Sequence, residues 1–227
     1  MLHNHSSIAM LEVIAKEIQL LHELDIIFVG GATTCLYIDD ETLGQIRNTN
    51  DVDCTVGLTS FIQYSRMEEM LRHRGFKNVI SENAPICRWS FKGIIVDIMP
   101  DDEHIIGFTN SWYKEGRKQK ISIALPSKAS IFIFPVEYFL ACKIEAYQKR
   151  GNNDFYGSKD IEDIITGFDG TLQLQNIFLK RNGAVEFVIK ALKEFCKNQN
   201  FIQSLTGHIE FGDIQRAERI LLFIQSL

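Results

Sequence analysis

Acidic residues stand in this chain where a β-strand can least accommodate them. In Gly93-Ile94-Ile95-Val96-Asp97-Ile98-Met99 a single carboxylate interrupts an apolar run, and an uncompensated charge in a buried strand is expensive. A second segment, Arg47-Asn48-Thr49-Asn50-Asp51-Val52-Asp53, sets two acids two residues apart. Successive strand side chains point to opposite faces, so Asp51 and Asp53 share a face while Val52 turns to the core. If the two strands pair, three carboxylates converge, and a divalent metal ion is the simplest compensator. Upstream, Phe28-Val29-Gly30-Gly31 reads as a short apolar strand ending in two glycines. Such a turn lets backbone N–H groups approach a phosphate closely. A phosphate cradle beside a carboxylate cluster suits chemistry on nucleoside triphosphates.

The rest of the chain alternates helix and strand patterns before Pro135 and is mostly helical after it. Ser6 or Ser7 caps a helix expected to run to about Leu24, and Asp25 to Val29 reads as a buried strand. Ala32 to Ile38 reads as a short helix and Asp40 to Asn50 as a polar loop. Asp51 to Val56 is a strand, followed by a helix opened by Thr59 or Ser60 and ended by Gly75. Further strands are expected at Phe76–Ile80, Ile86–Phe91, Ile94–Met99, Ile121–Leu125 and Ile131–Phe134, with Lys92-Gly93 as a hairpin turn. Helices follow at Val136–Arg150, after a Ser158 cap, at Gly183–Lys197 and at Asp213–Ser226. The expected organisation is α/β (α+β): a mixed twisted sheet flanked by helices over 1–134, and a helical part over 135–227.

Bulk properties narrow the function classes. At 45% hydrophobic and 23% charged, 227 residues make an ordinary globular chain with one generous core or two small ones. The formal charge of −5 argues against a protein that coats nucleic acid indiscriminately, while leaving room for a local basic patch. No apolar stretch reaches the ~18 residues that a membrane span needs. Met1 to Ser7 lacks the basic-then-apolar order of a signal peptide, so a cytoplasmic location is expected. The five cysteines form no CxxC pair, which fits reduced thiols, and His3 and His5 look like a floppy end rather than metal ligands. Two basic clusters can serve a nucleic-acid acceptor: Arg72, His73, Arg74 and Lys77, then Lys114, Arg117, Lys118 and Lys120 with Trp112 and Tyr113 to stack on bases. The run Asp101-Asp102-Glu103 reads as a solvated turn.

In this order, the glycine pair, R-x-T-x-D-x-D and the later strand acid resemble the nucleotidyltransferase (DNA polymerase beta-like) superfamily. A second signature is Lys143-Ile144-Glu145-Ala146-Tyr147-Gln148-Lys149-Arg150, followed by Ser158-Lys159-Asp160-Ile161-Glu162-Asp163-Ile164. It is similar to the AbiEii-type nucleotidyltransferase toxins of toxin–antitoxin and phage-defence systems, and the likeness spans roughly Ile26 to Ile165. The resemblance implies metal-dependent transfer of NMP from an NTP to an acceptor hydroxyl, most naturally the 3′ end of tRNA, with pyrophosphate released. Asp51, Asp53 and Asp97 would hold Mg²⁺, as two ions, with Mn²⁺ as an alternative. Asp97 would also help to deprotonate the acceptor. Gly30 and Gly31 would cradle phosphates. Many members carry a serine at the second position, and Thr33 or Thr34 would substitute for its hydroxyl. Lys143 would meet the triphosphate across a cleft completed by the helical part, Arg47 would pin a phosphate or stack near the base, and Asp160 would orient Lys143 or the nucleotide. A cognate antitoxin protein is the implied partner. The rival readings are an enzyme modifying a small compound such as an aminoglycoside, and a non-catalytic binding module.

Overall fold

In the computed structural model, residues 6–39, 46–82, 84–209 and 213–227 are described. His3, His5 and most of the polar loop expected after Asp40 lie outside them. The described chain divides into two compact units, one of residues 1–35 and 48–135, the other of residues 36–47 and 136–227. The segment 36–47 therefore groups with the helical part, which the change of character at Pro135 does not anticipate.

The first unit is built on a mixed seven-stranded sheet of order β3-β4-β5-β2-β1-β7-β6. Its strands are β1 (Ile26–Val29), β2 (Asp51–Val56), β3 (Lys77–Asn78), β4 (Arg88–Phe91), β5 (Ile94–Pro100), β6 (Ile121–Ala124) and β7 (Ser130–Ile133). β2 lies between β1, antiparallel to it, and β5, parallel to it. This central position explains why both neighbours are apolar runs, buried on two faces. Lys92 and Gly93 both take positive φ, 50° and 83°, the backbone a two-residue hairpin turn requires, and Phe91 pairs with Ile94 across it.

Helix α1 (Ser6–Ile18) buries Ile8, Leu11 and Ile14 but stops at Ile18 rather than near Leu24. Leu21 stays buried in the following turns, so the apolar stripe outlives the helix. Helix α2 (Phe61–His73) starts where the Ser60 side chain accepts from the Gln63 N–H and is followed by Gly75 at φ 86°. Two short helices, α3 (Glu103–Ile106) and α4 (Tyr113–Lys118), complete the unit. Asp101 is buried and takes an ion pair from Arg117 at 2.8 Å, while Asp102 caps α3. The acidic run is thus a structural junction and not a solvated turn.

The second unit comprises α5 (Val136–Arg150), α6 (Lys159–Gly170), α7 (Leu174–Phe178), α8 (Gly183–Phe195), α9 (Gln199–His208) and α10 (Ile214–Ser226). Ser158, Asn182 and Asp213 cap α6, α8 and α10 with side-chain oxygens, as their residue types favour. Ile161, Ile164, Ile165 and Phe168 form the buried stripe of α6. Tyr147, Phe155, Phe195 and Phe201 make an aromatic core with ring centroids 5.1–5.5 Å apart. The cysteines are free thiols; burial pushes Cys87 up to about 12, with Asp97 adding to it. Among the described residues, no helix is long and apolar enough to cross a membrane.

Candidate active site

In the first unit, strand register assembles the acids. Asp53 pairs directly with Asp97 across the parallel β2–β5 ladder, and Asp51 pairs with Ile95. Neighbouring strands run about 4.8 Å apart and paired residues share a face, so three carboxylates lie on one side of two strands. Val52 between them is fully buried, as the alternation requires. Thr49 donates its hydroxyl to Asp51 at 2.5 Å.

On the other side of β2, Val29 pairs with Asp53, which brings the glycine turn against the same acid. A Cβ placed on Gly30 would stand 2.0 Å from Asp53 Oδ2, and Gly30 has φ 74°. Both the backbone conformation and the carboxylate demand glycine here. The short helix expected over Ala32 to Ile38 forms as a 3-10 helix over Gly31–Leu36. Thr33 closes it by donating its hydroxyl to the Gly30 carbonyl at 2.9 Å. Thr33 and Thr34 are both fully buried. The Thr33 hydroxyl therefore supports the turn, where the family resemblance would have it contact a ligand.

A residue missing from the sequence expectation completes this cluster. Arg88, paired with Asp97 across the antiparallel β4–β5 ladder, donates Nε to Asp97 Oδ1 at 2.8 Å and Nη2 to Oδ2 at 2.7 Å. This bidentate hydrogen bond raises the Arg88 guanidinium above its ordinary value against a smaller cost of burial. Asp97, only 7% exposed, is compensated by an internal cation. Among the described residues no three His, Cys, Asp or Glu side chains are gathered as a ready ligand set, and Asp97 is engaged by Arg88. The donor chemistry still fits a hard divalent ion. Three carboxylate groups face one side, and the thiols of Cys54 and Cys87 are buried in the protonated form.

The second unit contains its own charged centre. Lys143, 6% exposed on α5, places Nζ 2.6 Å from Asp163 Oδ2 and 3.4 Å from Asp160 Oδ1. Arg47 donates Nε and Nη2 to the two oxygens of Asp163 at 2.9 and 2.8 Å. Arg150 makes the same kind of fork onto Asp160, both distances 3.0 Å. Burial opposes the charge on Asp160, but hydrogen bonds from Arg150 and the charge of Lys143 outweigh it and hold the carboxyl below its usual range. For Arg47, too, burial works against the charge, and the Asp163 carboxylate more than offsets it. Lys143 is thus tied to acids of its own unit, and Arg47 is clamped where an open phosphate-binding arginine was expected. Asp163 receives both Lys143 and the Arg47 fork, yet sequence reasoning leaves it a helix-start acid. Its only signal is the i, i+3 spacing that puts it on one face with Asp160.

The second expected basic cluster is neutralised. Lys114 pairs with Asp102, Arg117 with Asp101, Lys118 with Glu115 and Lys120 with Asp25. Tyr113 is buried against Phe134 rather than free to stack on a base.

No protein-family model matches this chain, and no curated protein does. Solved structures do. An antigenic nucleotidyltransferase-like protein from Paracoccidioides brasiliensis superposes with a TM-score of 0.53 at 18% identity, over 88% of this chain and 91% of that one. The fold is nucleotidyltransferase-like. The antibiotic-resistance factor ANT(2'')-Ia matches at a TM-score of 0.51 and 14% identity, over 82% of this chain and 92% of that one. At these identities the likeness is one of fold, and the chemistry rests on the residues that this nucleotidyltransferase-like sheet carries.

Proposed function

We propose that the protein transfers NMP from an NTP to an acceptor hydroxyl. The observation that carries this reading is the direct pairing of Asp53 with Asp97, with Asp51 on the same face and the Gly30 turn against Asp53. The acceptor oxygen attacks the α-phosphorus, the bond to the β-phosphate breaks, and pyrophosphate leaves. Asp51, Asp53 and Asp97 would hold Mg²⁺, which would neutralise charge on the triphosphate. Asp97 takes up the acceptor proton, and Arg88 keeps that carboxylate aimed. The Gly30–Gly31 backbone receives the phosphates. Lys143 is held in the second unit by Asp163 and Asp160.

For the acceptor we propose RNA, with the 3′ end of tRNA as its form, and for the biological role a growth-arresting toxin restrained by a cognate antitoxin. The AbiEii-like signature at Lys143 to Ile164 supports this finer reading. A second reading, a small hydroxylated compound as acceptor, draws support from the likeness to an antibiotic-resistance factor and from the formal charge of −5.

The test is incubation of the purified chain with Mg²⁺ and each α-labelled NTP, offering total RNA, total protein and an aminoglycoside panel. Label should enter a tRNA-sized band and be lost more than ~100-fold in Asp53→Ala and Asp97→Ala. Label confined to a small molecule would move the acceptor to the second reading. Wild-type labelling by Asp53→Ala would remove the carboxylate cluster from the chemistry.

A further inference from the structure

Several lysines and arginines that have no acidic partner among the described residues collect on one surface of the second unit. Between residues 180 and 199 there are five basic side chains, Lys180, Arg181, Lys190, Lys193 and Lys197, against two acidic ones, in a chain whose net charge is −5. Lys190 and Lys193 lie three residues apart on α8, and Lys197 lies four further on, just beyond its end, so all three share a face. The opposite face of α8 carries the core residues Val185, Val188, Ala191, Leu192 and Phe195. Arg181, Lys190, Lys193 and Lys197 line one hollow of about 490 Å³, in which the acids are Glu186 and Glu194.

This surface differs from the neutralised basic cluster of the first unit. Among the described residues Arg181, Lys190 and Lys193 have no ion-pair partner, and Lys197 has only an exposed pair to Glu194 at 2.6 Å, of the kind that contributes little. The cluster at Lys114 to Lys120, by contrast, is fully paired. The hollow continues, through the shared Glu194 and Lys197, into a second one of about 690 Å³. That hollow presents exposed amides from Asn152, Asn153, Asn198 and Gln199 above the buried rings of Tyr147, Phe155 and Phe195.

We infer that this surface is a track for single-stranded RNA, with phosphates along Arg181, Lys190, Lys193 and Lys197 and a nucleotide hydrogen-bonded in the amide-lined hollow. Unpaired lysines bind phosphates through release of condensed counterions. Amides recognise the base edges and 2′-hydroxyls that only an unpaired strand offers. The inference rests on the RNA-acceptor reading and deepens it, because it gives that acceptor a place to be held outside the carboxylate cluster.

The test is fluorescence anisotropy of the full chain with a labelled single-stranded RNA of about a dozen nucleotides, in a salt series. Lys190→Gln/Lys193→Gln is compared with Lys16→Gln/Lys128→Gln, which removes the same charge elsewhere, and thermal melts confirm that both fold. Loss of two phosphate contacts should lower affinity about 20-fold at 0.1 M salt and reduce the salt slope by about 1.4. The control pair should bind within about threefold of wild type, and Asn152→Ala/Asn153→Ala should weaken RNA binding without changing the slope. Equal losses in the α8 and control pairs would overturn the track. Displacement of RNA by poly-glutamate at equal charge concentration would also overturn it, in favour of an acidic polypeptide. The same variants are run in the labelling assay. If wild type labels RNA and the α8 pair labels it equally well, the track falls and the RNA acceptor stands. If wild type neither binds nor labels RNA, both fall.

Discussion

Asp163→Asn is the substitution whose consequence is worked most directly from the structure. The replacement keeps the side-chain shape and removes one negative charge from a carboxylate that is 1% exposed. That carboxylate now receives Lys143 at 2.6 Å and a fork from Arg47 at 2.8 and 2.9 Å. Without it Lys143, 8% exposed at its side chain, still has Asp160 at 3.4 Å, but Asp160 is already forked by Arg150. Removing one partner of a buried ion pair costs about 3–5 kcal/mol, far above the 0–1 kcal/mol of an exposed pair. With a urea dependence of about 2 kcal/mol per molar, the midpoint should fall by about 1.5–2.5 M. The assay is urea unfolding followed by circular dichroism at 222 nm, where the helices of the second unit dominate. Adding Lys143→Met should recover more than half of the loss, because the stranded cation is then gone. A shift under about 0.5 kcal/mol, or no recovery in the double variant, would refute the claim that this centre is a tightly coupled charge cluster.

Three further outcomes are expected. Arg88→Ala should lower transfer activity about 10- to 100-fold, with partial rescue by Arg88→Lys; unchanged turnover in Arg88→Ala would detach Arg88 from Asp97 function. Asp160 titrates below its unfolded value in the native state, so its contribution is present above about pH 4 and is lost as pH falls through the lower folded value. Urea midpoints measured from pH 7 down to pH 2 should therefore show wild type and Asp160→Asn converging at the acid end, and a constant gap would contradict this. Gly30→Ala should destabilise by at least about 2 kcal/mol, since its Cβ would lie 2.0 Å from Asp53 Oδ2 at a φ of 74°, and a wild-type melting temperature would show that Asp53 can move aside freely.

What the sequence made legible follows from the range over which each feature is encoded. Strand β2 and helix α5 sit where alternation and helical spacing place them, because both signals repeat several times within the element. Helices α3 and α4 are four and six residues long, too short for any period, and were missed. The strand expected over Phe76–Ile80 shrinks to Lys77–Asn78, since composition signals an extended chain but not where its partner ends. Asp51, Asp53 and Asp97 could be read because a strand acid in an apolar run is itself anomalous. Arg88 could not, because its meaning lies in a hairpin register, and Arg47 meets Asp163 across 116 residues, which no local pattern reports.

Gly30 shows how one residue can satisfy two demands that the sequence presents as one. Read alone, a glycine pair after an apolar strand implies space for a phosphate. The structure gives the first glycine another cause as well: the antiparallel β1–β2 register sets Val29 opposite Asp53, and the acid's carboxylate fills the volume a Cβ would need. The left-handed backbone there aims the chain into the 3-10 turn that Thr33 closes. Any substitution that crowds the turn must therefore displace Asp53, and any shift of Asp53 alters its register partner Asp97 and the Arg88 clamp behind it. The glycine turn, the paired acids and the arginine form a single mechanical element of the sheet, so an anion in the turn and a cation at the carboxylates would be sensed by the same few atoms.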